Sequence, residues 1–496
     1  MDYLDSRKRL RHTIILYVGY VLIGIAIIIA TVVLLYQAYG FGIDKKGTVI
    51  QNGLIFVSSQ PQPADIFVND RLEGAKTNTR LSLPAATYKL SIQRTGYQNW
   101  TRPITVDGGQ VAHYDYPLLI PKTLTSTKIF NYEQTPGVMS QSPDKRWLLI
   151  ARPAKFGSFD VFDLKNPAKA PTPLTLPASV LTPSTISEGW LPVEWADDNQ
   201  HLLLQHRFNA KIEYVLLDRQ APLQSLNLSR ILGVAPDRLS LIDRKYDQYY
   251  AYVSASKTLS QATLKSPNLS LVLSGVINYQ SYGSDVVLYT SSVGASSGQV
   301  RVQLKVGDHG YSIRSVAADS TYLLDITKYN DTFYVVVGAS SENKVYIYRD
   351  PAAQIGSDVF RSPALTQVLH VNHPDFVGFS SNAQYIVAEN GSQFSVYDIE
   401  NKHGFKYTAA QPLDAPQLHA SWMDGDRLTY VSGGKQVIFD YDYQNVRELG
   451  KALPVFKPVF APNYKYSYTI NGIATPGAPE TPLSLSQTAL VIPADL

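Results

Sequence analysis

One segment of the chain has the residue types and spacing of a covalent catalyst. Gly294-Ala295-Ser296-Ser297-Gly298 matches the Gly-x-Ser-x-Gly string of a nucleophile elbow, in which the serine sits on a turn from a strand to a helix. The next residues, Val300 to Val306, alternate in polarity as a strand does. The segment is therefore predicted to be a hairpin tip. With no catalytic residue assigned, we do not expect an enzyme.

Three further segments have groups that could bind a metal ion. His370, His373 and Asp375 are close in sequence, but a metal site needs three or four converging ligands. Asp197-Asp198-Asn199 and Asp424-Gly425-Asp426 offer the hard oxygens that calcium prefers, without the fuller ligand spacing of an EF-hand loop. Solvated loop histidines and ordinary turns explain these segments, so neither a metal nor a cofactor is predicted.

Three aromatic residues are weak candidates for ligand binding. Tyr97 and Trp100 could stack on sugar rings if they were exposed, and the alternative is that they close a hydrophobic core after the turn at Gly96. Trp190 precedes the second unit of a repeat in residues 122–496. It is a candidate because we expect it in a loop rather than in a strand.

An apolar run near the N-terminus determines where these residues would act. Ile14 to Tyr36 has no charged side chain and is long enough for a helix that crosses a hydrocarbon core about 30 Å thick. It exceeds the 7 to 15 apolar residues of a cleaved signal peptide, and Gln37-Ala38-Tyr39 is a poor cleavage site. We therefore predict a cytoplasmic tail at 1–12, an uncleaved transmembrane signal anchor at 13–38 and a linker at 39–51.

Charge and cysteine content indicate the compartment. Arg7, Lys8, Arg9 and Arg11 precede the helix, so the positive-inside rule places the N-terminus in the cytoplasm and the C-terminal domains outside the cell. The chain has no cysteine, which excludes a lipoprotein anchor and disulfides. This combination is typical of a bacterial or archaeal surface protein. A formal net charge of +3 leaves no broad basic face, so nucleic-acid binding is not expected.

Residues 52–121 are predicted to form a small all-β domain. In Tyr88 to Gln93, Tyr88, Leu90 and Ile92 alternate with polar residues, as in a half-buried strand. Further short apolar runs are separated by turn residues such as Gly108-Gly109, which suggests a compact sandwich.

The segment from Gly53 to Val106 resembles the PEGA domain family of small β-sandwich modules. The resemblance lies in the following segments: Val57-Ser58-Ser59-Gln60-Pro61, Ala64 to Asp70, Glu73-Gly74-Ala75, Leu81-Ser82-Leu83, and Tyr88 to Tyr97. Leu72 stands where the family motif has proline before Glu-Gly-Ala. The family has no known catalytic constellation, so the resemblance implies a spacer or adhesion module.

Residues 122–496 carry an internal repeat of about 45 residues. An aliphatic run that ends in an acidic residue and a turn recurs, with its aspartates at Asp163, Asp218, Asp350, Asp398 and Asp440. Degenerate copies at Gln261 to Lys265 and Val300 to Leu304 occupy the long gap. Such a period, with four short strands in each unit, predicts a β-propeller of eight blades, with seven as the alternative.

Two further features of this region support a propeller. Ser142-Pro143-Asp144-Lys145 and similar turns resemble those of TolB-like and dipeptidyl-peptidase-like propellers. The last blade, made of Phe456 to Phe460, Tyr466 to Ile470 and Leu490 to Pro493, lacks a fourth strand. Ser126 to Phe130 is predicted to supply that strand and so close the ring. Thr475 to Pro482 is expected to be a loop.

These features together favour a single-pass, surface-exposed binding or adhesion protein. Its partners would be the membrane, through one helix, and a protein or glycan at the cell surface. One alternative is a polysaccharide hydrolase or lyase that uses carboxylates in the propeller funnel. Another is a scaffold for a cell-envelope complex. The ligand and the oligomeric state are not encoded in any motif.

Overall fold

The computed structural model describes residues 6–38, 41–43, 49–184, 188–357, 361–472 and 483–495. The chain divides into two compact units. Unit 1 contains Met1–Thr123 and Val491–Leu496, and unit 2 contains Leu124–Leu490. Strands dominate both units.

Helix α1 (Ser6–Ala38) contains the predicted apolar run. Its apolar part, Leu10–Tyr36, is 27 residues long with a mean hydropathy of 2.9, and none of it is buried by other parts of the protein. The Thr31 hydroxyl donates to the Ile27 carbonyl oxygen at 2.8 Å, so this polar group is satisfied within the helix. The helix is long and apolar enough to cross a membrane, a test that a signal sequence near an N-terminus also passes.

Unit 1 also contains eight described strands. They are β1 (Phe41–Ile43), β2 (Val49–Val57), β3 (Asp65–Val68), β4 (Arg71–Lys76), β5 (Thr79–Pro84), β6 (Ala86–Gln93), β7 (Trp100–Val106) and β8 (Val111–Tyr114). One sheet has the order β1-β2-β5, with β8 added parallel to β2, and the other has the order β4-β3-β6-β7.

The core of unit 1 is made by alternate residues of these strands. Ile55, Ile66, Leu90 and Ile92 are completely buried and pack in one hydrophobic cluster. Tyr88 is half-buried on the same face, as predicted. Ser91, one of the polar residues that alternate with this face, is also buried, and its hydroxyl forms a 3.1 Å hydrogen bond with that of Thr101.

The C-terminal segment departs from the prediction. Leu490 to Pro493 was assigned to the last propeller blade, but Val491–Leu496 belongs to unit 1. Ile492 packs against the hydrophobic core of that unit, and its backbone N–H donates to the Tyr97 hydroxyl at 2.9 Å. Tyr97 in turn donates to the Asp495 carboxylate at 2.6 Å, and Arg94 forms an ion pair with the same carboxylate. These contacts are too distant in sequence for a local pattern to reveal.

The described residues of unit 2 form eight four-stranded antiparallel sheets. The first sheet contains β10 (Met139–Gln141), β11 (Trp147–Ala151), β12 (Ser158–Asp163) and β13 (Thr172–Thr175), and the second contains β14 (Glu188–Trp195), β15 (His201–Phe208), β16 (Lys211–Asp218) and β17 (Leu226–Asn227). The third sheet contains β18 (Arg238–Leu241), β19 (Gln248–Val253), β20 (Thr258–Thr263) and β21 (Ser270–Ser274). The fourth sheet contains β22 (Val276–Tyr282), β23 (Val286–Ser291), β24 (Gln299–Val306) and β25 (His309–Ala317). The fifth sheet contains β26 (Tyr322–Tyr329), β27 (Thr332–Ala339), β28 (Lys344–Arg349) and β29 (Leu365–His370). The sixth sheet contains β30 (Phe376–Phe379), β31 (Tyr385–Asn390), β32 (Gln393–Asp398) and β33 (His403–Thr408). The seventh sheet contains β34 (Ser421–Trp422), β35 (Arg427–Ser432), β36 (Lys435–Asp440) and β37 (Arg447–Lys451). The eighth sheet is β38 (Val459–Phe460), β39 (Tyr466–Asn471), β40 (Leu483–Ala489) and β9 (Ser126–Tyr132), and short helices α2 (Leu228–Ile231) and α3 (Pro351–Ile355) lie between strands.

This arrangement is a β-propeller. The first strands of neighbouring sheets contact each other, as β14 does β18, β22 does β26 and β26 does β30, so the first strand of each sheet is the inner one. Strand β9, from the start of unit 2, pairs with β40 near its end, with Ser126 opposite Thr488. The prediction that this segment closes the ring is confirmed. Closure removes the free edges that separate terminal strands would leave. Thr475 to Pro482 lies outside the described residues.

The repeated aspartates mark the ends of third strands. Asp163, Asp218, Asp398 and Asp440 are the last residues of β12, β16, β32 and β36. The Asp398 carboxylate accepts the backbone N–H groups of Glu400 at 3.0 Å and Asn401 at 3.1 Å. This turn satisfies two backbone donors at the point where the strand ends, which explains why aspartate recurs at this position of the repeat.

The turns between first and second strands also repeat. The Ser142 hydroxyl donates to Asp144 at 2.5 Å and accepts the Trp147 backbone N–H at 2.9 Å. Ser380 makes the same pair of contacts with Asn382 and with the N–H five residues further on. The sequence pattern therefore corresponds to one conserved geometry in different sheets.

Candidate binding face of the propeller

One face of the propeller carries the connections between successive sheets. Because neighbouring strands are antiparallel, the turns between second and third strands lie on this same face. We call it the connection face. The turns between first and second strands lie on the opposite face.

A cluster of titratable side chains lies on the connection face between the sixth and eighth sheets. Asp375 precedes β30, His419 precedes β34, Lys457 precedes β38 and Glu389 lies near the end of β31. The His419 Nδ1 atom is 3.7 Å from Asp375 Oδ1 and 4.0 Å from Glu389 Oε1. The ring of His419 stacks on Phe376, with centroids 4.8 Å apart.

Glu389 has a structural role in this cluster. Glu389 is completely buried, and both of its carboxyl oxygens accept the backbone N–H of Ala420 at 3.0 Å. Ala420 directly follows His419, so the carboxyl group fixes the connection that carries the imidazole. The histidine and Asp375 are more accessible, with side-chain exposed fractions of 20% and 42%.

Burial shifts the pKa values of three of these groups. It raises the pKa of Glu389 to about 8, with a further increase from the negative charge of Asp375, while the Ala420 hydrogen bond acts in the opposite direction. Burial lowers the pKa of His419, against the effect of Asp375. Partial burial lowers the pKa of Lys457, although the residue as a whole is exposed. At neutral pH, Glu389 is therefore largely protonated.

A small pocket adjoins the cluster between the seventh and eighth sheets. It holds about 20 Å³, enough for a single water molecule. His419, Ser421 and Lys457 give it polar groups, while Leu418 and Phe456 supply apolar walls. His419 and Lys457 thus offer an imidazole and a cation at a partly apolar opening, and the Asp375 carboxylate lies 3.7 Å from the imidazole.

The structure places Trp190 in a strand and not in the predicted loop. It lies in β14, is 8% exposed, and stacks on Phe156 with ring centroids 4.8 Å apart. The expectation of a loop was wrong because strand β14 already begins at Glu188, two residues before Trp190. A direct contact of Trp190 with a ligand is not supported by this position.

Tyr97 and Trp100 close the sandwich core of unit 1. Tyr97 is completely buried and Trp100 is 1% exposed, which matches the core alternative in the sequence interpretation. Trp100 packs edge to face on Tyr116, with centroids 5.7 Å apart. Neither ring presents a face on which a sugar could stack.

The remaining chemical segments have structural roles. Gly294 to Gly298 joins two strands, β23 and β24, so the predicted hairpin tip is confirmed. Asp424 forms a buried ion pair with Arg427, at 2.9 Å to Nε. Asp198 accepts the backbone N–H groups of Gln200 and His201. In the described part of the chain, no group of three or more His, Cys, Asp or Glu residues is arranged to hold a metal ion.

No motif in the sequence singles out Glu389, His419 or Lys457. One signal was available, because Glu389 interrupts the apolar strand Tyr385–Asn390, where a charged group is costly unless it has partners. His419 and Lys457 had no comparable signal, since each precedes a different repeat unit. Only the packing of neighbouring sheets brings them together.

Comparison with protein families agrees with the architecture of unit 1. Residues 52–120 match the PEGA domain family. The matched PEGA domain segment includes β2 to β8 except for the first three residues of β2, and it ends one residue before the predicted boundary. No curated protein matches the sequence.

Several solved structures are similar to the propeller. An uncharacterized protein, lmo1340 from Listeria monocytogenes EGD-e, has a TM-score of 0.40 and 12% identity, covering 66% of this chain and 92% of its own. The Cps50 (Swd1) β-propeller domain of Myceliophthora thermophila has a TM-score of 0.37 and 11% identity, covering 64% and 97%. An oligogalacturonate lyase in complex with manganese has a TM-score of 0.39 and 11% identity, covering 74% and 100%. These values carry no information about the site.

Proposed function

We propose that this protein is a single-pass, membrane-anchored binding protein that presents its propeller to a protein or glycan at the cell surface. Helix α1 is the anchor. The basic residues before its apolar part keep the N-terminus in the cytoplasm, and both β-domains lie outside. The PEGA domain segment is a spacer next to the membrane.

The observation that carries this proposal is that the connection-face cluster combines one buried, bonded carboxyl group with side chains that solvent can reach. The carboxyl group of Glu389 is buried and bonded to the backbone, while Asp375, His419 and Lys457 are reachable from solvent. A rigid support beneath polar and aromatic groups is what a recognition surface requires, because preorganisation lowers the entropic cost of binding. Phe376 and Phe456 add apolar contact area beside these groups.

The proposal can be tested with the full chain in detergent micelles. Binding to purified envelope polymers and to detergent-solubilised envelope proteins would be measured for the wild type and for Asp375→Asn and His419→Gln. We expect both substitutions to weaken binding. Asp308→Asn is the matched control, because Asp308 is an exposed carboxylate on the opposite face. Equal binding by all four proteins, or no binding by the wild type, would contradict the proposal.

A second candidate function is polysaccharide cleavage. Its basis is that Glu389, with a pKa of about 8, and Asp375 both lie near His419, since an acid and a base with separated pKa values are typical of glycosidases. The complete burial of Glu389 argues against direct contact with a substrate. Release of reducing ends or unsaturated products from acidic polysaccharides, lost in Glu389→Gln, would favour this candidate over simple binding.

A further inference from the structure

A second opening on the connection face is large enough for a small ligand. It has a volume of about 470 Å³ and lies between the turn that joins β15 to β16 and the segment that follows α2. This volume is within the range of about 300 to 1,000 Å³ typical of ligand pockets. At the β15–β16 turn, Asn209 and Ala210 both have positive φ angles, the geometry of a tight two-residue hairpin. One wall of the groove is therefore a short, well-defined turn.

Two cations line this groove. Lys211 is exposed directly after the turn. Arg230 lies on the other side, where its Nη1 donates to the Ser179 carbonyl oxygen at 2.5 Å and its Nη2 donates to the Thr182 hydroxyl at 2.9 Å. These bonds hold the guanidinium in place at the groove, so little side-chain entropy remains to be lost when it binds an anion.

Among the described residues that line the groove, the one carboxylate is that of Glu213, and it is already bonded to protein partners. Glu213 is 5% exposed and accepts from Thr182 N at 2.9 Å, Thr182 Oγ1 at 2.7 Å and Asn227 Nδ2 at 2.8 Å, and it contacts His206 Nδ1 at 2.9 Å. Burial acts to raise its pKa, but these hydrogen bonds outweigh that effect and the pKa is lowered. The carboxylate is thus charged but surrounded by donors, and the two accessible charges of the groove are positive.

The other walls are apolar or small. Phe208, Ile212 and Val234 supply hydrocarbon surface, and Gly233 has open space where a side chain would begin. A planar or ring-shaped group can lie against these residues while an anionic substituent faces Lys211 and Arg230. A sugar ring with one negative group combines both properties.

We propose that this groove binds a sugar residue that carries a carboxylate or a phosphate. The inference rests on the proposed function, because it names the ligand class of a face that we propose to be a binding surface. The shared chemistry is a monoanionic or dianionic group on a pyranose ring, contacted by Lys211 and Arg230. An anionic envelope glycan is the polymer that this chemistry fits.

Titration calorimetry on the full chain in detergent micelles tests the assignment. The probes are glucuronic acid, glucose 6-phosphate, neutral glucose and a glutamate tripeptide. We expect the two anionic sugars to bind and glucose not to bind, and their relative affinities distinguish a carboxylate from a phosphate source. Loss of an exposed charge should make Lys211→Ala about threefold weaker, and loss of the fixed guanidinium should make Arg230→Ala roughly tenfold weaker.

Two further variants guard against indirect effects. Ala235→Trp fills the exposed side of the groove without changing a charge, and it should abolish binding of the anionic sugars. Lys169→Ala removes an exposed cation from the opposite face and should leave binding unchanged. The inference is overturned if neither anionic sugar binds, if Ala235→Trp binds them as the wild type does, or if the tripeptide binds more tightly than both sugars. If neither anionic sugar binds but envelope polymers still bind the wild type, the proposed function is retained.

Discussion

The protonation state of Glu389 predicts how the free energy of unfolding depends on pH. The buried carboxyl group has a pKa of about 8, raised from 4.5. Glu389→Gln replaces it with a neutral group of the same shape that can still accept the Ala420 N–H. The substitution therefore imitates the protonated form at every pH.

The sign and size of the effect follow from linkage. Because the folded-state pKa is the higher one, the native protein binds more protons than the unfolded chain between pH 4.5 and about 8. The contribution of Glu389 to stability is complete below pH 4.5 and is lost as the pH rises through about 8. A shift of this size corresponds to an upper limit of about 5 kcal/mol, at about 1.4 kcal/mol per pH unit.

Chemical denaturation of the full chain in detergent between pH 5 and pH 9 measures this effect. The wild type should lose stability as the pH rises, and Glu389→Gln should lose less, so that the variant is the more stable protein at pH 9. Some loss will remain in the variant, because burial also raises the pKa of Asp325 and of Asp426 to about 7. Glu448→Gln is the control, since Glu448 is exposed and its pKa is lowered by Lys435. Parallel pH profiles for wild type and Glu389→Gln would refute the reasoning.

Three other substitutions test the framework that supports the face. Tyr97→Phe removes the acceptor of the Ile492 N–H and should lower the free energy of unfolding of unit 1 by about 1 to 3 kcal/mol, measured by denaturant titration. Phe130→Ala removes a ring of the closing strand that packs on Phe162, and thermal unfolding should show a loss of about 2 kcal/mol in the propeller. Asp398→Ala leaves two turn N–H groups without their acceptor and should cost about 2 kcal/mol by the same measurement.

Each of these substitutions has a conservative partner. Phe130→Leu should keep most of the stability that Phe130→Ala loses. Asp398→Asn should be less destabilised than Asp398→Ala, because its side chain can still accept the turn N–H groups. Truncation before Val491 should cost at least as much as Tyr97→Phe, because it also removes the Ile492 packing and the Arg94–Asp495 ion pair, and Tyr97→Phe should add little in the truncated chain. Unchanged unfolding in Phe130→Ala would mean that the closing strand contributes no packing, and full additivity of Tyr97→Phe with the truncation would mean that Tyr97 acts elsewhere.

Local patterns in the sequence predicted much of the fold. The apolar run, the alternation in Tyr88 to Gln93 and the repeated aspartates each depend on neighbours within one element. The closing strand Ser126–Tyr132 was found because a blade with three strands leaves an edge that needs pairing. These features need no knowledge of distant contacts.

The parts that could not be predicted depend on contacts between distant segments. Leu490 to Pro493 has the composition of a strand, yet the residues after Leu490 pack on Tyr97, almost four hundred positions earlier. Asp375, His419 and Lys457 come from three successive connections, and each is an ordinary polar loop residue by itself. Their proximity arises from the packing of whole sheets.

Site-specific photocrosslinking on intact cells tests the central claim most directly. A photoreactive residue at position 375 on the connection face would be compared with one at position 308 on the opposite face. We predict that position 375 joins the protein to an envelope glycan or surface protein and that position 308 does not. Crosslinks only from position 308, or crosslinks from either position to cytoplasmic molecules, would contradict it.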